Sequence, residues 1–134
     1  EWGTMGAGDG MFQSPHAVAV APDGSVYVAD TYGYRIQKFD AEDAFVSKWG
    51  TIGSGDGEFM RPKDIAVASD GSVYIADTEN DRIQRFTSEG VFVSEWGTEG
   101  SGDGEFGDPE GLTVASDGSV YVADTGGDSI KKFR

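Results

Sequence analysis

Apolar residues in this chain come in short runs separated by polar turns, with no helical spacing anywhere. In the middle of the sequence, Asp64-Ile65-Ala66-Val67-Ala68 ends at Ser69-Asp70-Gly71-Ser72, and Ser72-Val73-Tyr74-Ile75-Ala76 follows directly. Asp-Gly between apolar runs is a strong local hairpin signal, because glycine tolerates positive φ. The polar stretch Asp77 to Asp81 leads into Arg82-Ile83-Gln84-Arg85-Phe86; Thr87-Ser88-Glu89-Gly90 turns again, and Val91 to Trp96 makes a fourth apolar run. The pattern predicts four antiparallel strands in succession.

The same pattern occurs three times. Trp2, Trp49 and Trp96 are each followed by Gly-Thr at a spacing of 47 residues, and Asp23, Asp70 and Asp117 each open Asp-Gly-Ser-Val-Tyr. Phe12, Phe59 and Phe106 keep the same register, as do Pro15, Pro62 and Pro109. A fixed period of this length marks a supersecondary unit that buries its apolar faces only against its neighbours. Small Ala and Val residues on the first strand suit a crowded central axis, and Tyr, Phe and Trp on later strands suit the space where blades splay apart. A sandwich would need more varied strands and a solenoid a shorter repeat. The expected fold is therefore all-β, a propeller of four-stranded antiparallel blades. The repeats run 1–47, 48–94 and 95–134, the last lacking its own fourth strand.

Each copy resembles an NHL repeat: Gly and Phe, then Pro, an apolar strand, Asp-Gly, a Val-Tyr-Val-Ala-Asp-Thr strand and Arg-Ile-Gln-x-Phe. The resemblance covers the whole chain and implies a six-bladed propeller. Copy one departs at Thr31-Tyr32-Gly33-Tyr34, where the family favours Asn before the arginine, and copy three has Ser129 where the others have Arg35 and Arg82. A closed propeller needs at least four blades, so three blades predict a head-to-tail homodimer closing a six-bladed ring. Trp2, Ile130 and Phe133 are the expected self-association residues, with the Trp2 strand of one chain beside Ser129 to Phe133 of the other. A nine-bladed ring or an open filament are the other assemblies. Between Trp49–Phe86 and Trp96–Phe133, 25 of 38 positions match, which fits recent duplication or construction from a repeat consensus. A fragment whose only property is assembly is therefore one alternative function.

Charge narrows the partners. There are 24 acids against 10 Lys and Arg, a net charge of −14, and the acids are spread over all three copies. Phosphate backbones and anionic membranes require basic surfaces, so neither nucleic acid nor membrane is expected as a partner. No apolar run approaches membrane-spanning length and no signal-peptide pattern opens the sequence, so a soluble chain is expected, its compartment unstated. With no Cys there is no disulfide, thiolate site or cysteine nucleophile.

The copies differ most in two loop sets expected on one face of the ring. Gln13-Ser14-Pro15-His16 becomes Met60-Arg61-Pro62-Lys63 and Gly107-Asp108-Pro109-Glu110; Tyr32-Gly33-Tyr34-Arg35 becomes Glu79-Asn80-Asp81-Arg82 and Gly126-Gly127-Asp128-Ser129. A uniform frame with one varied face is the pattern of a binding module, for a protein or a small polar ligand. The candidate ligand residues are His16, Lys63 and Glu110 on the pore rim, with Tyr32, Tyr34, Arg35, Arg61 and Arg82. The Gly-x-Gly-Asp-Gly loops lack the ending of a phosphate-binding loop. They offer a calcium alternative on Asp56, Glu58, Asp103 and Glu105, although copy one has Met11 in place of Glu. Asp30, Asp77 and Asp124 are expected to hold their loops through backbone N–H groups. Similar propellers include a zinc-dependent lyase and lactone hydrolases, so a metal enzyme with a channel site is the second alternative. One His and no evident Ser-His-Asp set favour a non-catalytic role without a cofactor.

Overall fold

The computed structural model describes residues 1–133; Arg134, the last residue of the third repeat, lies outside them. A short parallel pair, β1 (Thr4–Met5) and β2 (Met11–Phe12), precedes blade 1, which comprises β3 (Pro15–Val20), β4 (Val26–Asp30), β5 (Arg35–Phe39) and β6 (Phe45–Trp49). Blade 2 comprises β7 (Pro62–Val67), β8 (Val73–Asp77), β9 (Arg82–Phe86) and β10 (Phe92–Trp96). A second parallel pair, β11 (Thr98–Glu99) and β12 (Glu105–Phe106), leads to β13 (Pro109–Val114), β14 (Val120–Asp124) and β15 (Ser129–Phe133) of blade 3. Among the described residues each blade is an antiparallel meander in sequence order, four strands in the first two and three in the last. The first strand of each blade starts at proline, earlier than the apolar run suggests, where a missing N–H is harmless. Among the described residues no helix is long and apolar enough to cross a membrane.

The Asp-Gly hairpins form as the sequence predicts. The carboxylates of Asp23, Asp70 and Asp117 each accept the N–H two residues on, at 2.9 Å, and Gly24, Gly71 and Gly118 take φ near +90°. The Ser25 and Ser72 N–H groups, with their hydroxyls, hold the Asp23 and Asp70 carboxyls below the usual range.

The Trp-Gly pair has a distinct origin. Gly50 and Gly97 have φ of +108° and +113°, and a Cβ there would lie 2.7 and 2.6 Å from the rings of Phe59 and Phe106. The chain passes directly over these rings, which are fully buried, so only glycine fits.

Blades pack face to face. Ala17, Ala19, Tyr27, Ala29 and Ile36 of blade 1 meet Ile65, Val67, Val73 and Ile75 of blade 2; Ala76, Tyr74 and Ile83 of blade 2 meet Val120, Val122, Leu112 and Val114 of blade 3. The small residues lie on the innermost strands, which run side by side, and the aromatics fill the outer part of each joint. Trp49 stacks on Phe86 at 5.5 Å and Trp96 on Phe133 at 5.4 Å between ring centroids, so each tryptophan ending one blade seats on the next. Two polar latches repeat along with the apolar packing. Thr31 and Thr78 hydroxyls, both buried, donate to the carbonyls of Pro62 and Pro109 at 2.7 Å.

Candidate binding face

The loops entering each blade and the turns joining its second and third strands lie together, as their direct contacts show. In blades 1 and 2 a single 3-10 turn, Thr31–Gly33 or Thr78–Asn80, follows the aspartate that ends the second strand. One carboxylate oxygen of Asp30 accepts the Gln13 N–H (2.8 Å), and that of Asp77 the Met60 N–H (2.7 Å). In blade 3, Asp124 takes both Gly107 and Asp108 N–H groups. These aspartates thus hold the loop entering the blade, a pairing across 16 to 17 residues that local sequence does not display, and Asp77 also accepts from the Asn80 side chain of its own turn.

The second oxygen of Asp30 and of Asp77 faces an arginine, and here the expectation for Arg35 and Arg82 is corrected. Both side chains are buried, not offered to a ligand. Arg82 Nε donates to Asp77 at 2.7 Å, and its outer nitrogens donate to the carbonyls of Ser54, Gly55 and Glu58 and to the Glu95 carboxylate. Arg35 does the same with Asp30 and the carbonyls of Ala7 and Met11. The guanidinium fork is consumed in stitching the Gly-rich loop to its blade. In blade 3 Ser129 cannot do this, and Lys131 replaces it: its ammonium donates to the Gly102 and Glu105 carbonyls and lies 3.5 Å from Asp124.

Two of the four residues expected for calcium are engaged within the loop. Glu58 and Glu105 turn back to accept the N–H of Gly55 (2.8 Å) and Gly102 (2.9 Å), while Asp56 and Asp103 are exposed. Among the described residues no group of three or more His, Asp or Glu is placed to hold a metal ion.

The remaining candidates form two clusters. At the joint of blades 1 and 2, His16 packs edge-on to Tyr32, with ring centroids 6.3 Å apart, and Arg61 covers the same tyrosine at 5.0 Å. Arg61 in turn pairs with Glu79 at 2.8 Å, and that carboxylate raises its already high pKa. At the joint of blades 2 and 3, Lys63 lies 3.4 Å from Glu110. Asp108 is pushed up by burial and by its hydrogen bond with Glu110, and Glu110 is pulled down by the same bond. Glu79, Asp108 and Ser14, whose Oγ is 3.0 Å from His16 Nε2, were not among the sequence candidates. Their signal was present in their variation at equivalent loop positions. Tyr34, half-buried at φ of 54°, joins the first cluster through a side-chain hydrogen bond with Arg61.

Asp81 occupies the position equivalent to Tyr34, also left-handed with φ of 52°. Burial first, then the charges of Glu99, Asp124 and Asp77, raise its carboxyl pKa. A carboxyl held above its ordinary value binds its proton more tightly when folded. Its contribution to stability is therefore lost as pH rises from about 3.8 through the raised value. Asp81→Asn keeps a residue that tolerates this backbone and removes the charge. Its expected effect is a rise in Tm of about 1–2 °C at pH 7 that disappears near pH 3, read by thermal melts at both.

Comparison with known proteins agrees with this geometry. Among curated proteins none matches the sequence. Of solved structures, the chain resembles the Kuenenia stuttgartiensis hydrazine synthase (TM-score 0.67, 19% identity, 92% of this chain and 35% of that one). It also resembles virginiamycin B lyase from Staphylococcus aureus (0.66, 18%, 90% and 41%) and a nidogen/laminin complex (0.64, 18%, 88% and 42%). The chain spans less than half the length of each, and at these identities the likeness is one of fold. The NHL-repeat family model matches residues 12–39, 59–86 and 106–133, which correspond to the three successive blades from the repeated phenylalanine to the end of the third strand. The chain belongs to the NHL-repeat family.

Proposed function

We propose that the protein is a non-catalytic binding scaffold that pairs head-to-tail with a second copy to complete a six-bladed ring, presenting its varied loop face to a protein or small polar ligand. The carrying observation is the fate of one repeated isoleucine: Ile36 and Ile83 are fully buried in the two internal joints, whereas Ile130 of blade 3 is 70% exposed. The opposite end mirrors it. Ile65 is 4% exposed within its joint, and its blade 1 counterpart Val18 is 62% exposed.

The free faces are thus the two halves of a joint already built twice in the same chain. Thr125, the third member of the threonine latch, is exposed, and so is Pro15, the third acceptor position. A second copy placed by the internal geometry brings Thr125 to the carbonyl of Pro15 and Ile130 against Val18. Exposed apolar faces of this kind favour association. Trp2 and Phe133 also belong to this reading, since in the internal joint Trp49 both seats on Phe86 and lies opposite Ile36. Trp2 already packs on Phe39 of its own blade at 5.7 Å, and Phe133 lies against Trp96 and Phe106. Ile130, Trp2 and Phe133 are then the self-association residues in this reading.

The loop face supports binding over catalysis. Arg61 with Glu79 and Lys63 with Glu110 are matched pairs. The Ser14–His16 contact has Tyr32 beside the imidazole where a carboxylate would be needed to orient a base. Light scattering on purified protein tests the assembly. A mass about twice 14.2 kDa is expected, with Ile130→Glu reverting to monomer while keeping its strand-rich spectrum. A folded monomer of the parent chain at micromolar concentration would overturn the reading.

A further inference from the structure

Asp30, Asp77 and Asp124 end the second strand of the three blades, and among the described residues only Asp124 has an oxygen without a hydrogen bond. Asp77 Oδ2 accepts from Arg82 Nε and from the Asn80 and Gln84 amides, at 2.7, 2.9 and 3.1 Å. In blade 3 these three donors are replaced by Ser129, Gly127 and Lys131. The Lys131 ammonium donates to the Gly102 and Glu105 carbonyls and remains 3.5 Å from Asp124. Asp124 Oδ2 is therefore closed off from solvent with no donor of its own, a costly state for a carboxylate. In blades 1 and 2 every donor to this oxygen comes from the turn and third strand of the same blade. Both segments are described in blade 3, so the vacancy is a property of residues 124–131 themselves.

The charge around it is matched to a cation. Tyr34, Ile52, Arg61 and Lys63 at the joint of blades 1 and 2 become Asp81, Glu99, Asp108 and Glu110 at the joint of blades 2 and 3. These carboxylates feel one another. After burial, the charges of Glu99 and Asp124 raise the pKa of Asp81, and the Glu110 hydrogen bond and the charge of Asp81 raise that of Asp108. Among the described residues only Lys63 and Lys131 are ion-paired with this set.

The other blades define the missing group. Arg82 completes its frame with Nε on the aspartate and its outer nitrogens on the Ser54, Gly55 and Glu58 carbonyls. In blade 3 Lys131 serves the counterparts of Gly55 and Glu58 and leaves Ser101, the counterpart of Ser54, to a further donor. Blade 1 shows that a glycine turn admits a guanidinium. Gly33 stands where blade 3 has Gly127, equally close to the aspartate Oδ2, and Arg35 Nε still reaches that oxygen at 3.1 Å. A metal ion is less suited, since no three carboxylates among the described residues converge on one point.

We propose that Asp124, with Asp81, Glu99, Asp108 and Glu110 about it, forms a guanidinium-binding site in the place left by the third arginine. The site rests on the reading of the varied loops as the binding face and gives that face a ligand chemistry. Blades 2 and 3 of one chain supply all its residues. The outer carboxylates draw a cation in, and the buried oxygen selects a planar group with several donors over an ammonium.

The test is calorimetric titration of the full chain with acetyl-Gly-Arg-Gly-amide and its lysine and citrulline analogues. Saturable one-to-one binding of the arginine peptide with Kd of about 0.1–1 mM is expected, about tenfold weaker for lysine and absent for citrulline. Ser129→Arg supplies the guanidinium from the chain itself, as Arg35 and Arg82 do, and should abolish binding while keeping the strand-rich spectrum. Equal affinity for the arginine and lysine peptides, or undiminished binding to Ser129→Arg, would overturn the proposal. Ethylguanidine separates the sources of the group. Displacement of the peptide at equal affinity marks a small guanidinium compound, displacement about tenfold weaker marks an arginine side chain, and no displacement sinks the site. Amide exchange separates the site from the reading beneath it. Slowing at residues 124–129 on binding sustains both, slowing at Thr31–Gly33 instead sustains the loop face alone, and slowing only at the Asp-Gly hairpins sustains neither.

Discussion

Arg82→Met is expected to destabilise the protein by about 3–5 kcal/mol, the range for removing one partner of a buried ion pair. Asp77 is fully buried and Arg82 nearly so. With the guanidinium gone, one Asp77 oxygen keeps only the neutral donors Asn80 and Gln84, at 2.9 and 3.1 Å. The Ser54, Gly55 and Glu58 carbonyls lose their shared donor as well. Methionine retains much of the side-chain volume, so the loss is chiefly electrostatic. Arg85→Met is the contrast: that arginine, half-exposed and bound to Ser72 and Asp70, should cost under about 1 kcal/mol. Urea denaturation of both variants decides the matter, and equal costs would show that the clamp is not what ties the loop to the blade.

Phe86→Ala is expected to cost about 3–5 kcal/mol through the cavity it leaves. Its ring touches Trp49 of blade 1, Phe59 of the entering loop and Phe92 of its own fourth strand, at centroid distances of 5.5, 5.7 and 6.0 Å. It therefore joins three segments. Phe133→Ala removes the same residue from blade 3, where the third aromatic contact is lacking, and should cost roughly half as much. Denaturation midpoints for the two variants make the comparison, and a Phe133→Ala loss as large as that of Phe86→Ala would contradict it.

The blade itself was legible because its signals are local. Asp-Gly turns, alternating runs and the tryptophan beat each act within a few residues, and three copies repeat them in register. The roles of Arg35 and Arg82 were not legible, since variable neighbours on a polar loop look the same whether a side chain faces solvent or folds inward. Their acceptors are main-chain carbonyls of a glycine loop 24 to 29 residues earlier, and carbonyls leave no mark in a sequence. The aspartates were read correctly as loop-holding but given the wrong loop for the same reason. His16, Lys63 and Glu110 lie one residue inside the innermost strands, because each strand begins at its proline and not at the apolar run that follows. The pairing of Arg61 with Glu79 depends on two loops meeting across a blade joint, which periodicity alone does not specify.

The threonine latch bears on how such a chain changes length over generations. Each latch joins a hydroxyl to a proline carbonyl 31 residues further on, and every copy carries both halves. An unequal genetic exchange that adds or removes one 47-residue unit therefore leaves every latch with a partner, whichever copies become neighbours. The bonds that do not survive such an exchange are the individual ones, Lys63 with Glu110 and the Leu112 N–H with Asp64, each tied to a particular order of copies. Selection for a fixed order of blades would act through those few side chains, while the shared joints leave the number of blades free to drift.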